Sequence, residues 1–357
     1  MNLDRIAALT ERLPEDMDAA LVTSGVSRMY LTGMKSSAGT LLITRDAAYF
    51  IIDFRYIELA RRRVQNARVM LQERLFDQLI ELVKKHGLRR IGVESASMTI
   101  ANYLSMCSVF GEDVLLFDNR LSELLSSMRR YKSREELRVM QQAQDIADRA
   151  FARILDFIRE GVTEREISLE LTRLKYLDGA SGDSFENIVA SGANSAVPHA
   201  TPSDKPVAKG DFVTMDFGAV LDGYASDMTR TVAIGEADEE KRAVYDTVLK
   251  AQRAAFDVIA PGVPCKAVDA AARELINAAG YEGCFGHGLG HSLGLQVHEE
   301  PRFSPMDTSV CEPGLVMSVE PGVYLEGRFG CRIEDVVCIT EQGFVNLARS
   351  PKELLVL

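Results

Sequence analysis

The stretch Met215-Asp216-Phe217-Gly218-Ala219-Val220-Leu221-Asp222-Gly223-Tyr224-Ala225-Ser226-Asp227-Met228-Thr229-Arg230-Thr231 reads as one β-hairpin carrying two carboxylates. Phe212, Val213 and Met215 lead in with strand-forming residues, Asp222-Gly223 is a strong turn pair, and Thr229, Thr231 and Val232 continue as a second strand. A two-residue loop puts Asp216 and Asp227 on one face in either of two registers. With Leu221-Asp222 as the turn they stand directly opposite. With Asp222-Gly223, Asp227 opposes Gly218 and Asp216 lies two residues along the same face. Facing carboxylates repel, so such a hairpin calls for a cation between them. A plainer reading stands beside this one, in which one Asp caps a turn and the other is solvated.

A chain of 357 residues is long enough for two domains with large cores. Apolar content of 46% with 26% charged residues is that of a soluble globular protein. The net charge of −11 argues against nucleic acid, since phosphate binding needs a basic footprint. Six scattered cysteines form no C-x-x-C pair, so they read as reduced, mostly buried thiols of a cytoplasmic protein and give a zinc ribbon no support. The sequence opens with no long apolar run, and no stretch approaches about 18 uninterrupted apolar residues, so neither a signal peptide nor a membrane span is expected. Histidine usage is more informative. Of five histidines, His199, His287, His291 and His298 fall in the same part of the chain as the carboxylate hairpin, and only His86 lies outside it.

Working outward, residues 3–13 have helical spacing through Leu3, Ile6, Ala7, Leu9 and Leu13, as do residues 54–64 and 73–85. Strands are expected at 19–23, 29–32, 40–44, 48–52 and 91–94. This alternation describes a small α/β domain that ends near Leu125, either structural or a wall over a neighbouring site. Residues 128–136 form the boundary, giving domains 1–127 and 128–357. Ser133 and Glu136 fit a capping box for a long helix reaching about Arg159, and the basic lead-in reads as a solvated linker rather than an anion site. Beyond it lies a weak internal repeat. Ile158-Arg159-Glu160-Gly161-Val162-Thr163 resembles Ile259-Ala260-Pro261-Gly262-Val263-Pro264 at an offset of 101, which also relates Ile167 to Val268, Leu174 to Leu275 and Gly179 to Gly280. Each copy reads as helix, Gly-Val turn, helix, terminal glycine, then strands, which suggests a pseudo-two-fold α+β domain with a site between its halves.

The second half supplies Phe285-Gly286-His287-Gly288-Leu289-Gly290-His291, whose glycines disfavour a helix and would let backbone approach an ion or substrate. His298 follows. Glu320 ends a strand at Pro321-Gly322, and Glu334 lies inside the mostly apolar run 331–339, where a carboxylate must be paired or metal-bound. Arg332, two residues away, could be that partner. Two Asp, two Glu and one or two His make an oxygen-rich donor set suited to two divalent ions of manganese, cobalt, iron or zinc. Paired ions roughly 3.5–4 Å apart are a recurrent hydrolytic device.

The set Asp216, Asp227, His291, Glu320, Glu334 resembles the five-ligand signature of the pita-bread metallopeptidases, in the branch of Xaa-Pro dipeptidases (prolidases) and Xaa-Pro aminopeptidases (aminopeptidase P). Ser27–Met34 and Ile52–Tyr56 are similar to a creatinase-type N-terminal domain. Val197-Pro198-His199-Ala200, Tyr224–Thr231, His287–His291, Val319-Glu320-Pro321-Gly322 and Arg332–Asp335 are similar to the catalytic motifs, in order along the whole chain. The resemblance implies a two-domain α/β fold, a small creatinase-type domain followed by a pseudo-two-fold α+β pita-bread catalytic domain. It implies two divalent metal ions, manganese or cobalt before zinc or iron, and hydrolysis of the Xaa-Pro bond of dipeptides or short peptides through a metal-bridging hydroxide. Asp227 and Glu334 would bridge the ions, Asp216 would complete one, and His291 with Glu320 the other. Glu320 would act as general base and then acid. His199 and His298 would line the substrate cleft and serve the tetrahedral intermediate or the leaving nitrogen. Arg332 would hold substrate, and His287 would either line the cleft or be hydrogen-bonded beside it. A cytoplasmic homodimer is the family habit. A creatinase-like hydrolase that needs no metal, or a binding protein on the same fold, would lack ligands that this chain has, and methionine aminopeptidase is disfavoured by the extra N-terminal domain.

Overall fold

The computed structural model describes residues 4–357, which form two compact units dividing between Arg129 and Arg130. The first unit runs α1 (Arg5–Arg12), β1 (Ala19–Val22), α2 (Gly25–Thr32), β2 (Thr40–Thr44), β3 (Ala48–Ile52), α3 (Ile57–Arg63), β4 (Arg68–Leu71), α4 (Leu75–His86), β5 (Ile91–Val93), α5 (Ile100–Phe110), β6 (Leu115–Leu116) and α6 (Arg120–Arg130). Leu3, expected in the first helix, lies outside the described residues. The six strands form one mixed sheet in the order β4-β3-β2-β1-β5-β6. Every residue of β1 and β2 is buried, as apolar runs covered on both faces should be.

One expectation fails here. Met29-Tyr30-Leu31-Thr32 belongs to the helix α2, not to a strand. Ser24 caps the helix by accepting the Ser27 N–H at 3.2 Å, and Gly33 ends it in the left-handed conformation at φ 69°. Fixed ends and the burial of Tyr30 and Leu31 override the strand preference of a four-residue window.

The second unit runs α7 (Arg134–Ile154), α8 (Glu164–Leu177), β7 (Gly182–Asp183), β8 (Ile188–Ser191), β9 (Phe212–Phe217), β10 (Ala219–Leu221), β11 (Tyr224–Ala225), β12 (Met228–Ala233), α9 (Glu239–Val258), α10 (Cys265–Ile276), β13 (Gly290–Ser292), β14 (Glu299–Phe303), β15 (Val316–Val319), β16 (Gly322–Leu325), β17 (Phe329–Arg332), β18 (Asp335–Thr340) and β19 (Gly343–Asn346). The Ser133–Glu136 capping box opens α7, which ends at Ile154, short of Arg159. The internal repeat is real in three dimensions. Gly161 and Gly262 both have left-handed backbones, at φ 87° and 84°. Gly161 N–H donates to Val207 O at 2.9 Å as Gly262 N–H donates to Cys311 O at 2.8 Å, and Val207 and Cys311 return bonds to Val162 and Val263. The helix pair α7–α8 thus has its counterpart in α9–α10.

Strand alternation decides which side of each half faces a site. In β9, Val213, Met215 and Phe217 join the core that holds Ile154, Ile167 and Leu171 of α7 and α8, so Asp216 must face the other way. In the second half, Met317, Val319, Cys331 and Ile333 join the core of α9 and α10, which turns Ser318, Glu320, Arg332 and Glu334 away from it. Both halves therefore send acids to the side opposite their helices.

Candidate metal centre

The hairpin adopts the register with Asp222-Gly223 as its turn. Leu221 pairs with Tyr224, Phe217 with Met228, and Asp216 with Thr229. Asp222 and Gly223 take φ of 46° and 86°, the left-handed pair of a type I′ turn. The hairpin is not one ladder, however. It passes from the β12-β9-β8 sheet to the β11-β10-β7 sheet, and Gly218 and Asp227 lie at the change. At Gly218 a Cβ would come within 1.9 Å of the Ser226 carbonyl oxygen, so only glycine allows the crossing. The run 331–339, expected as one strand, breaks in the same way. β17 ends at Arg332, β18 begins at Asp335, and the two belong to different sheets. Glu320 likewise falls between β15 and β16. Asp227, Glu320 and Glu334 all stand where strands part.

The five side chains named from the sequence converge. Asp227, His291 and Glu334 each bring one ligating atom to within 4.8 Å of the others. His291 Nε2 lies 3.4 Å from Glu320 Oε1 and 3.8 Å from Asp227 Oδ2. Asp216 reaches the group through Arg332, whose Nη2 donates to Asp216 Oδ2 at 2.6 Å. Thr229, opposite Asp216, donates to Glu334 Oε2 at 2.7 Å, and Ser318 donates to Glu320 Oε1 at 3.2 Å while accepting the His291 N–H at 3.0 Å. Gln252 of α9 is fully buried and donates to Val319 O and Ile333 O, so it ties together the residues just before both glutamates.

Burial pushes Asp227 and Glu334 well above the ordinary carboxylate range, and repulsion adds to it, chiefly from Asp216 on Asp227 and from Asp227 on Glu334. Burial raises Glu320 to about 8, with Arg332 opposing the rise and Asp216 adding to it. His291 is lowered to about 4 by burial and then by the neighbouring His298, so it is neutral. Its Nδ1 lies 3.2 Å from Ser292 O, which can only accept, so Nδ1 carries the proton and Nε2 offers a lone pair towards the acids.

The remaining residues fall on the wall of a cavity of about 610 Å³, lined among others by Phe185, Pro198, His199, His298, Arg302 and Arg332. His199 and His298 are exposed to it, and the His298 ring meets that of His291 edge-on at 4.4 Å. His287 also lines the cavity, but both its nitrogens are engaged, Nδ1 with Gly288 O at 2.8 Å and Nε2 with the Tyr324 hydroxyl at 3.0 Å. Arg332 is the partner of Asp216, not of Glu334. It also donates from Nη1 to Tyr324 OH and Pro198 O and from Nε to Thr229 Oγ1, so four of its five N–H donors are used. That leaves it little with which to hold a substrate. Gly288 and Gly290 both line the cavity, and Gly290 also allows a close strand approach, since a Cβ there would stand 2.0 Å from Ser318 O.

Sequence reasoning missed Thr229, Ser318, Tyr324, Gln252 and Arg302. Alternation puts Thr229 with Asp227 and Ser318 with Glu320 on the acid face, and the exposed positions His298, Glu300 and Arg302 alternate into β14, so those three were findable. Gln252 and Tyr324 depend on contacts distant in sequence.

Residues 138–341 match metallopeptidase family M24, and residues 5–130 match the creatinase/prolidase N-terminal domain. The chain belongs to metallopeptidase family M24. It is 34% identical to the Xaa-Pro dipeptidase of Pyrococcus furiosus over 356 residues, covering 99% of each chain. Among solved structures it resembles a Xaa-Pro dipeptidase from Bacillus anthracis at 37% identity and a TM-score of 0.95, over 99% of each chain. It also resembles an X-Pro aminopeptidase from Thermotoga maritima at 36% identity and a TM-score of 0.91, over 98% of this chain and 99% of the other. The fold is therefore a creatinase-type N-terminal domain and a pita-bread catalytic domain, and the enzyme is a metallopeptidase. No helix is long and apolar enough to cross a membrane among the described residues.

The donor set fits divalent cations. Asp216 Oδ1 and Asp227 Oδ1 are buried without a hydrogen-bond partner among the described residues, an arrangement that is costly unless a cation meets them. Ionised, the four carboxylates would carry more negative charge than Arg332 alone can balance, and divalent cations would offset the remainder.

Proposed function

We propose that this chain is a dinuclear-metal peptidase that hydrolyses the Xaa-Pro bond of dipeptides or short peptides. The observation that carries the reading is the convergence of Asp216, Asp227, His291, Glu320 and Glu334 around two orphaned carboxylate oxygens. These five side chains would hold the ions, with Asp227 and Glu334, the two acids that burial raises furthest from the ordinary carboxylate range, assigned to both. Manganese or cobalt suits the set best, and zinc or iron also satisfies it. Bound there, two divalent ions would lower the pKa of water to near neutrality and polarise the scissile carbonyl.

The chain's own residues supply the rest. Glu320 is held by Ser318, and once bound cations favour its ionised form it would take a proton from the attacking water and return it to the departing proline nitrogen. His298 and His199, on the cavity wall, are placed to donate to developing negative charge or to the leaving nitrogen. The bond before proline is a tertiary amide with no N–H to recognise. A site that acts on the carbonyl does not need one. Arg302 and Arg332 are the cations of the lining, and Arg332 is committed to Asp216 and Tyr324. Among the described residues Arg302 spends only its Nε, on Glu300 Oε1 at 3.1 Å, so its Nη groups would be the ones to meet a substrate carboxylate, which favours dipeptides over longer chains.

Metal content and activity together test the proposal. The purified protein is expected to bind two ions per chain, to lose Xaa-Pro hydrolysis on chelation, and to regain it with Mn²⁺ or Co²⁺. Activity that survives verified metal removal would refute the metal-dependent reading and favour a creatinase-like reaction. A chain that binds metal yet cleaves no Xaa-Pro peptide would refute the substrate assignment.

A further inference from the structure

The loop that carries His199 is tied down by a carboxylate outside the cavity. Glu164, the first residue of α8, is fully buried. Its Oε1 accepts from Ser191 N at 2.7 Å, Ser191 Oγ at 2.9 Å and Asn194 Nδ2 at 3.0 Å. Its Oε2 accepts from Ser203 Oγ at 2.6 Å, Ser203 N at 3.1 Å and Asn194 Nδ2 at 3.1 Å. Ser191 ends β8, and Ser203 stands where the chain returns to α8. There Arg165 N–H donates to Ser203 O and Glu164 N–H to Lys205 O. Between the two serines, Pro198, His199, Ala200, Thr201 and Pro202 line the cavity. One carboxylate thus grips both ends of residues 192–202 and, through Asn194, their first turn. A second set of ties fixes the middle. Ser195 Oγ accepts the Gly330 N–H at 2.9 Å, and Pro198 O accepts from Arg332 at 3.2 Å.

The chemistry selects a carboxylate for this place. Five donor groups converge on it, and an ionised carboxylate is acceptor-only, with about four lone-pair sites. A glutamine would turn an NH₂ group against some of those donors and leave them buried without partners. The start of α8 also favours negative charge.

We propose that Glu164 is a positioning residue for the substrate cleft. It holds residues 192–202 so that His199 meets the substrate, and it governs turnover without touching the peptide. This rests on the reading of the cavity as the Xaa-Pro site. The test compares Glu164→Gln, His199→Ala and the double variant on a Xaa-Pro dipeptide, with metal content and amide hydrogen exchange measured on each metal-loaded protein. Glu164→Gln is expected to keep its metal, to speed exchange in residues 192–202 but not in β9, β12 or β13, and to lose kcat/KM on the order of 10- to 100-fold, the scale of a catalytic group misplaced by about 1 Å. The double variant should be no worse than His199→Ala alone. Multiplying losses, unchanged exchange, or a kcat/KM near that of the wild type would each overturn the proposal. Should Glu164→Gln fail to fold, Ser203→Ala removes one of the donors and should show the same signature at smaller size. Ser203→Ala with faster loop exchange but unchanged kcat/KM would overturn the proposal as well. A wild-type enzyme that cleaves no Xaa-Pro peptide counts against the substrate assignment alone, because loop exchange in Glu164→Gln still reports on the clamp.

Discussion

Arg332 Nη2 stands 2.6 Å from Asp216 Oδ2, and Asp216 Oδ1 is left without a partner among the described residues. The contact orients Asp216 and supplies a positive charge beside Asp216, Asp227, Glu320 and Glu334. Removing a partner from a buried ion pair destabilises by about 3–5 kcal/mol, because the remaining charge is stranded. Arg332→Met is therefore expected to weaken the metal-free protein by that order. Saturating Mn²⁺ should recover much of the loss, since the ions bring positive charge to the same acids. Urea unfolding with and without metal measures this. An equal deficit in both would mean that Arg332 acts by packing alone.

The acids also set a pH dependence for the metal-free protein. Glu320 is raised to about 8, and Asp227 and Glu334 are raised in the same direction. A group whose folded pKa is raised stabilises the fold below its unfolded value, and that stabilisation is lost as pH rises through the folded value. His291 and His287, lowered to about 4, act oppositely between about pH 4 and their unfolded value near 6.5. The clean window is therefore pH 6.5 to 8, where the histidines no longer contribute. Stability of the metal-free protein is expected to fall with pH across it, by an amount on the order of a few kcal/mol. Loading with metal should flatten the curve, and binding should release protons. A flat metal-free profile across that window would contradict the burial of these acids.

Glu320→Gln separates chemistry from fold. The amide keeps the shape and removes a buried charge, so the metal-free variant should be at least as stable as the wild type at pH 8, with a shallower pH slope. It cannot move a proton, so kcat should fall by about 10²- to 10⁴-fold. Melting temperature and kcat at pH 8 decide the matter, and a variant that keeps most of its turnover would take Glu320 out of the proton-transfer role.

Gly290 tests how the strands hold His291. A Cβ there would overlap the Ser318 carbonyl at 2.0 Å, far inside contact distance. Ser318 accepts the His291 N–H and donates to Glu320. Gly290→Ala is expected to destabilise by about 1–3 kcal/mol, as overpacking does, and to reduce metal content, because β13 must move away from β15. Thermal unfolding and metal analysis report the two effects separately. Wild-type metal content in a destabilised variant would show that the strand shifts without moving His291.

The acid face was legible in the sequence because its signal is local. Asp216 and Asp227 stand out on a hairpin that puts them on one face in either of its two registers, and Glu334 stands out as a charge in an apolar run. The repeat was legible because Gly161 and Gly262 both need left-handed backbones. What stayed hidden was non-local or conformational. Met29–Thr32 has the residues of a strand, but the cap at Ser24 and the stop at Gly33 make it helical. The runs at Asp227 and Glu334 read as unbroken strands, and only the sheet topology shows each acid at a break. Spacing offers Arg332 as one possible partner for Glu334, two residues away, whereas in the fold it crosses to Asp216 on the other half. Gln252 and Glu164 act across long sequence separations, which no spacing rule reaches.

Arg302 offers a test between dipeptidase and aminopeptidase action. It lies on the same exposed face of β14 as Glu300, follows His298 by four residues, and lines the cavity with it. A dipeptide presents its carboxylate on the proline itself, whereas a tripeptide places it one residue further away. If Arg302 meets the proline carboxylate, Arg302→Met should raise KM for Xaa-Pro by about 10- to 100-fold, the worth of one charge-assisted hydrogen bond at 1.5–3 kcal/mol. Its effect on Xaa-Pro-Xaa should be much smaller, because that carboxylate lies beyond the anchor. The wild type should correspondingly prefer Xaa-Pro. Steady-state kinetics on a matched pair, with and without the C-terminal residue, measure both statements. Equal losses on the two substrates would show that Arg302 shapes the cleft without reading its end, and a wild-type preference for the tripeptide would make this chain an aminopeptidase of the Xaa-Pro type.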